Sequence, residues 1–142
     1  MSSCGYKYME LGQLKLCTRT VRNSFCLPRA EQVVLLFILD RTVGWNKVEE
    51  KISTSQFVNG VIRRKRGHDI LMAGGTRLTV DEVNEALTRL KERGAIETTS
   101  CEGKVAYSVN EDWCHPDLRE LGMWELNESD YDYEHEDDAS CG

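Results

Sequence analysis

Four consecutive bases, Arg63, Arg64, Lys65 and Arg66, form the densest positive charge in the chain. Guanidinium and ammonium groups at this density suit phosphate oxygens, because each neutralised phosphate releases condensed counterions. The plainer alternative is a solvated loop that offsets nearby acids. Lys104, beside Gly103 in a turn, is a second basic position suited to a backbone or minor-groove contact. Asn84, Thr88 and Arg89 lie together on a helical pattern, where an amide, a hydroxyl and a guanidinium can reach base edges. On the same pattern stand Asp81, Glu82, Glu85 and Glu92, whose carboxylates suit a basic protein surface instead.

Other chemistries find less support. No G-x-x-x-x-G-K-[ST], H-E-x-x-H or G-x-S-x-G motif occurs. The carboxylates cluster near the C-terminus, where nothing fixes the geometry that a catalytic pair needs. The reading is therefore of a non-enzyme with no cofactor. Six cysteines are present, none in a CxxC pair, and Cys114-His115 matches no standard zinc spacing. With no apolar stretch at the N-terminus to act as a secretory signal, the thiols are expected to be reduced and the protein cytoplasmic. The longest apolar run covers seven residues, 33–39, too few to span a membrane.

The net charge of -6 is unevenly spread. Residues 125–142 hold eight acids and no Lys or Arg, which leaves sixteen acids and eighteen bases, a net of +2, on the rest. The 142 residues thus divide into a nearly neutral body over 27–124, an arm or strand over 1–26, and an acidic tail over 125–142 that lacks the apolar residues to fold.

Several elements must position the basic run. Pro28 suits the first turn of a helix, Glu31 favours its dipole, and the all-round apolar run 33–39 makes that helix central and buried. Gly44 is its expected left-handed stop, with Trp45 packing back as core. Val48 and Ile52 alternate as in a short edge strand. Ser53 to Gln56 reads as a capping box opening a second helix that holds Phe57, Val58, Val61 and Ile62. Residues 63–78, with Gly67, Gly74 and Gly75, break the pattern and read as a loop. Thr79 to Glu82 is another capping box, followed by Val80, Val83, Leu87 and Leu90 at helical spacing, with Gly94 as the stop. Residues 96–100 and 105–109 read as a hairpin around Glu102-Gly103. A last short helix follows Pro116. Trp45, Tyr107 and Trp113 read as core; His68 reads as exposed, and His115 and His135 show no partner.

The order helix, strand, helix, helix, hairpin is the layout of an α+β winged helix-turn-helix, three helices with a two- to three-stranded wing sheet. The stretch Thr42, Gly44, Trp45, Lys47, Glu49 or Glu50, Ile52, Ser53, Ser55 and Gln56 carries a narrower likeness. With Gly74, Gly75, Leu90 and Gly94 it resembles the N-terminal domain of the phage replication protein O family, over roughly residues 28–110. The resemblance implies double-stranded DNA as partner, the third helix in the major groove and the hairpin as a wing. On the DNA reading, the residues expected to make the contacts are Arg63, Arg64, Lys65, Arg66, Asn84, Thr88, Arg89 and Lys104. The length suits a small phage or mobile-element regulator of transcription or replication better than a full replication initiator.

A second function class stays open. Of the outward residues Asp81, Glu82, Glu85, Thr88, Arg89 and Glu92, four are acids, which phosphates would repel. On that reading the same scaffold is a protein-interaction module, such as a phage inhibitor whose acidic helix and tail occupy the basic groove of a host nucleic-acid-processing protein. A refinement of the DNA reading has the tail lying on the basic run until DNA displaces it. Leu118, Leu121, Met123 and Trp124 are candidates for a homodimer surface, and equally for covering the domain's own core.

Overall fold

The computed structural model describes residues 11–120. The expectations for residues 1–10 and for the acidic tail, and those for Leu121, Met123, Trp124 and His135, lie outside the described residues. Within them the fold is α+β, with five α-helices and two small antiparallel sheets.

The first helix, α1 (Leu11–Ser24), replaces the arm or strand expected there. The pattern was hidden because the helix buries polar residues, Thr20, Asn23 and Ser24. Two are satisfied locally, the Thr20 hydroxyl donating to the Leu16 carbonyl at 2.8 Å and the Ser24 hydroxyl to that of Val21 at 2.6 Å, whereas the Asn23 amide donates to the Trp113 carbonyl at 3.1 Å and its Oδ1 accepts from the His115 amide at 2.9 Å. Small polar groups bonded back to their own helix can face a core at little cost. Meanwhile Leu11, Leu14, Val21 and Phe25 remain exposed.

The central element is α2 (Arg29–Thr42), which starts directly after Pro28. Val34, Leu35 and Ile38 on it are fully buried. At its end a short 3-10 turn, Val43–Trp45, intervenes, and the left-handed stop falls at Asn46 (φ 58°) rather than at Gly44. Trp45 is half-buried with the Arg41 guanidinium 5.0 Å above its ring, so it packs back on the helix as expected but outside the main core. Arg41 and Lys47 both reach the Glu50 carboxylate, at 2.8 and 2.9 Å, which ties α2 to the next strand.

That strand, β1 (Glu50–Lys51), is an edge, as the alternation predicts. It pairs with β5 (Lys104–Val109), which pairs with β4 (Ile96–Cys101), giving the order β1-β5-β4. Between β1 and β4 lie α3 (Thr54–Asn59) and α4 (Val80–Arg93). Both open with the capping boxes read from the sequence: Ser53 accepts from the Gln56 amide and Thr79 from the Glu82 amide, each returned by the Gln56 or Glu82 side chain. Gly94 closes α4 at φ 81°. The variant T79A is expected to lose about 1 kcal/mol of stability, the usual cost of a lost N-cap, measured by urea denaturation.

Phe57 of α3 is fully buried, packed on Phe37 of α2 at 5.2 Å and edge-on to Tyr107 of β5 at 5.3 Å. Val83, Ala86, Leu87 and Leu90 of α4 complete this core with Ile52, Leu78, Ala95 and Ile96. Arg93 of α4 closes the far side on the buried Glu31 carboxylate at 2.6 Å. Beyond β5, α5 (Pro116–Glu120) is a short helix with Leu118 buried. His115, read as unpartnered, is buried and held: its amide donates to Asn23 Oδ1 at 2.9 Å, and its Nδ1 accepts from the Asp117 amide at 3.1 Å.

Candidate nucleic-acid interface

The region 63–78 is no loop. Residues 60–65 and 68–74 form a two-stranded antiparallel sheet, β2 (Gly60–Lys65) and β3 (His68–Gly74). The second helix therefore ends at Asn59, and Val61 and Ile62 belong to β2 instead. Gly60 causes the break, because its φ of 91° lies outside the helical region. At the tip, Arg66 (φ 53°) and Gly67 (φ 81°) both take the left-handed conformation. Two such central residues match the twist of the flanking strands and give a tight turn.

The root of this hairpin is closely packed. A Cβ added at Gly75 would run into the Val58 carbonyl oxygen, and one at Gly60 into that of Ala73. Only glycine lets the two backbones cross there. Just beyond, the amide and the hydroxyl of Thr76 both donate to the Phe57 carbonyl, at 2.9 and 2.8 Å, and the hydroxyl accepts from the Leu78 amide. Ala73 and Leu78 are buried in the core. The variant G75A is expected to cost about 1–3 kcal/mol, as overpacking does, and to accelerate amide hydrogen exchange in β2 and β3 before α4 is affected.

Outward from this root the hairpin is exposed on both faces. The register pairs Ile62 with Leu71, Arg63 with Ile70, Arg64 with Asp69, and Lys65 with His68. Directly paired residues share a face and successive ones alternate. One face thus carries Ile62, Leu71, Arg64 and Asp69; the other carries Arg63, Ile70, Lys65 and His68, with Arg66 at the tip. Arg64 meets Asp69 at 3.1 Å in an exposed ion pair. Four bases stand against one acid along the ribbon.

The other site residues read from the sequence lie on different elements. Asn84, Thr88 and Arg89 are exposed on α4, as expected. The Thr88 hydroxyl donates to the Asn84 carbonyl at 2.9 Å, and Arg89 sits 3.7 Å from Glu85. Asp81, Glu82, Glu85 and Glu92 are exposed too, and the Glu82 carboxylate accepts from the Thr79 amide at 2.9 Å. Lys104 opens β5, opposite Cys101 in the register of the second hairpin. The structure gathers the four consecutive bases on one projecting element, and leaves α4 and the second hairpin as separate groups.

Sequence reasoning missed Ile62, Ile70 and Leu71 as exposed companions of the bases. Their spacing on either side of Arg66-Gly67 was the available signal. Burial pushes the Tyr107 phenol and the Cys17 thiol up from their ordinary values, but neither lies on this surface. Among the described residues no three His, Cys, Asp or Glu side chains gather as a metal site, and no helix is long and apolar enough to cross a membrane. The chain matches no family model, no curated protein and no solved structure.

Proposed function

We propose that this chain is a winged helix-turn-helix protein that binds double-stranded DNA and regulates transcription or replication in a phage or mobile element. The order α2, β1, α3, α4, β4, β5 and the strand order β1-β5-β4 support the scaffold, with β2 and β3 inserted where the turn between the second and third helices would lie. One observation carries the DNA reading: Arg63, Arg64, Lys65 and Arg66 stand together on an exposed hairpin with only Asp69 among them as an acid. Fluorescence anisotropy with a mixed-sequence duplex across a salt series tests it. Binding that weakens steeply with salt supports DNA contact, and no binding at low salt removes it.

The acids of α4 favour a second reading. Asp81, Glu82, Glu85 and Glu92 are all exposed on one helix, and a basic host-protein surface would complement them. Under that reading duplex DNA does not bind, and a salt-sensitive complex with a host nucleic-acid-processing protein is lost on E85K/E92K.

A further inference from the structure

We propose that the β2–β3 hairpin enters the major groove of duplex DNA as a two-stranded ribbon, taking the place that the scaffold would otherwise give to α4. The proposal rests on the DNA-binding reading above and names the element that reads the groove. Its first support is fit. A major groove about 12 Å wide admits either an α-helix or a two-stranded β-ribbon. The paired stretch from Gly60 to Lys65 extends roughly 20 Å at the usual rise per residue. A tight turn keeps its tip narrow, and the crossed glycines and the doubly bonded Thr76 fix its root to α3.

The second support is the chemistry on its faces. Arg63 and Lys65 lie on one face, Arg64 on the other and Arg66 at the tip, so the ribbon carries positive charge on both faces. Ile62 and Leu71 form a cross-strand pair that is 60% and 63% exposed. As a cross-strand pair they support the ribbon, yet most of their apolar surface is left to water, where thymine methyl groups in the major groove offer apolar contact.

The third support is the unsuitability of α4. The first-turn amide at Glu82 is already taken by the Thr79 hydroxyl, and Asp81 and Glu82 place carboxylates where a phosphate would approach. Thr88 bonds to its own helix, and Arg89 is drawn toward Glu85. A helix with this face meets repulsion on both phosphate walls; the hairpin does not.

The full-length chain tests the proposal by anisotropy on three duplexes of one sequence: unmodified, carrying bulky substituents at pyrimidine C5, which fill the major groove, and saturated with a minor-groove ligand. The variants are I62S/L71S on the hairpin and N84A/T88A/R89A on α4. All five side chains are exposed, and circular dichroism confirms that each variant folds. Filling the major groove is expected to weaken the wild type by about 10-fold or more, while the minor-groove ligand leaves it unchanged. I62S/L71S is expected to lose roughly 10-fold on the unmodified duplex, with N84A/T88A/R89A within about 2-fold of wild type. Loss confined to the α4 variant would overturn the ribbon reading and leave DNA binding intact. So would blockage by the minor-groove ligand alone. No binding by the wild type to any duplex would remove the DNA reading itself.

Discussion

A chain carrying R63Q, R64Q, K65Q and R66Q together is expected to lose most of its affinity for duplex DNA. Each neutralised phosphate contributes about 0.9 to the slope of log K against log salt, so four contacts account for up to roughly 3.6 of that slope. Near 0.1 M salt the loss is then up to about 4 × 10³-fold, and it shrinks as salt rises. The substitution leaves the fold in place, because the four side chains are exposed and the one ion pair they make, Arg64 with Asp69, is solvent-accessible. Exposed pairs of this kind contribute about 0–1 kcal/mol. An unchanged slope would move the phosphate contact to another surface, with Lys104 and the second hairpin next in line. A charge-preserving variant, all four as Lys, separates the roles of charge and geometry. It should keep the slope and lose only what depends on the planar guanidinium fork.

The second large effect concerns stability. F57A is expected to cost about 3–5 kcal/mol, read from the urea midpoint at constant slope. Phe57 is fully buried and its ring touches both Phe37 and Tyr107, so it joins α2, α3 and the sheet at one point. Its carbonyl also receives both bonds from Thr76. Truncation therefore opens a cavity beneath the very residue that anchors the hairpin root. Against a typical domain stability of about 5–15 kcal/mol, this loss leaves a marginal protein. F57L, which keeps much of the volume, should recover a good part of it. Equal losses from both variants would mean that the ring contacts, not the filled volume, carry the effect.

How much of this could be read beforehand depended on contrast between faces. In α4, Val83, Leu87 and Leu90 face the core while Asp81, Glu85 and Glu92 face water, so the helical period stands out. The β4–β5 hairpin and both capping boxes were legible for the same local reasons. Two elements lacked that contrast. In α1 the buried residues are Thr20, Asn23 and Ser24 and the exposed ones include Leu14 and Val21, which inverts the usual pattern. In β2 and β3 both faces are wet, so no alternation of apolar and polar residues marks them. The turn Arg66-Gly67 was also silent, since the usual signal places Asn or Asp before the glycine. For the candidate interface, the charge of residues 63–66 was plain in the sequence. What stayed hidden was that a ribbon carries it outward and sets Ile62 and Leu71 beside it.

The crossing of Gly60 and Gly75 has a consequence for how such a chain can change. Because the arm leaves and re-enters the body at one point, it adds no length to the path from Asn59 to Thr76. The body is indifferent to how far the arm reaches. Outward of Val61 and Ala73, which pack on the core, its strands can lengthen, shorten or exchange their side chains without shifting Phe57, Val83 or Leu90. The outer arm and the stability of the body are thereby uncoupled: the arm is free to drift in sequence as long as two glycines, one threonine and the buried Ala73 keep its doorway closed.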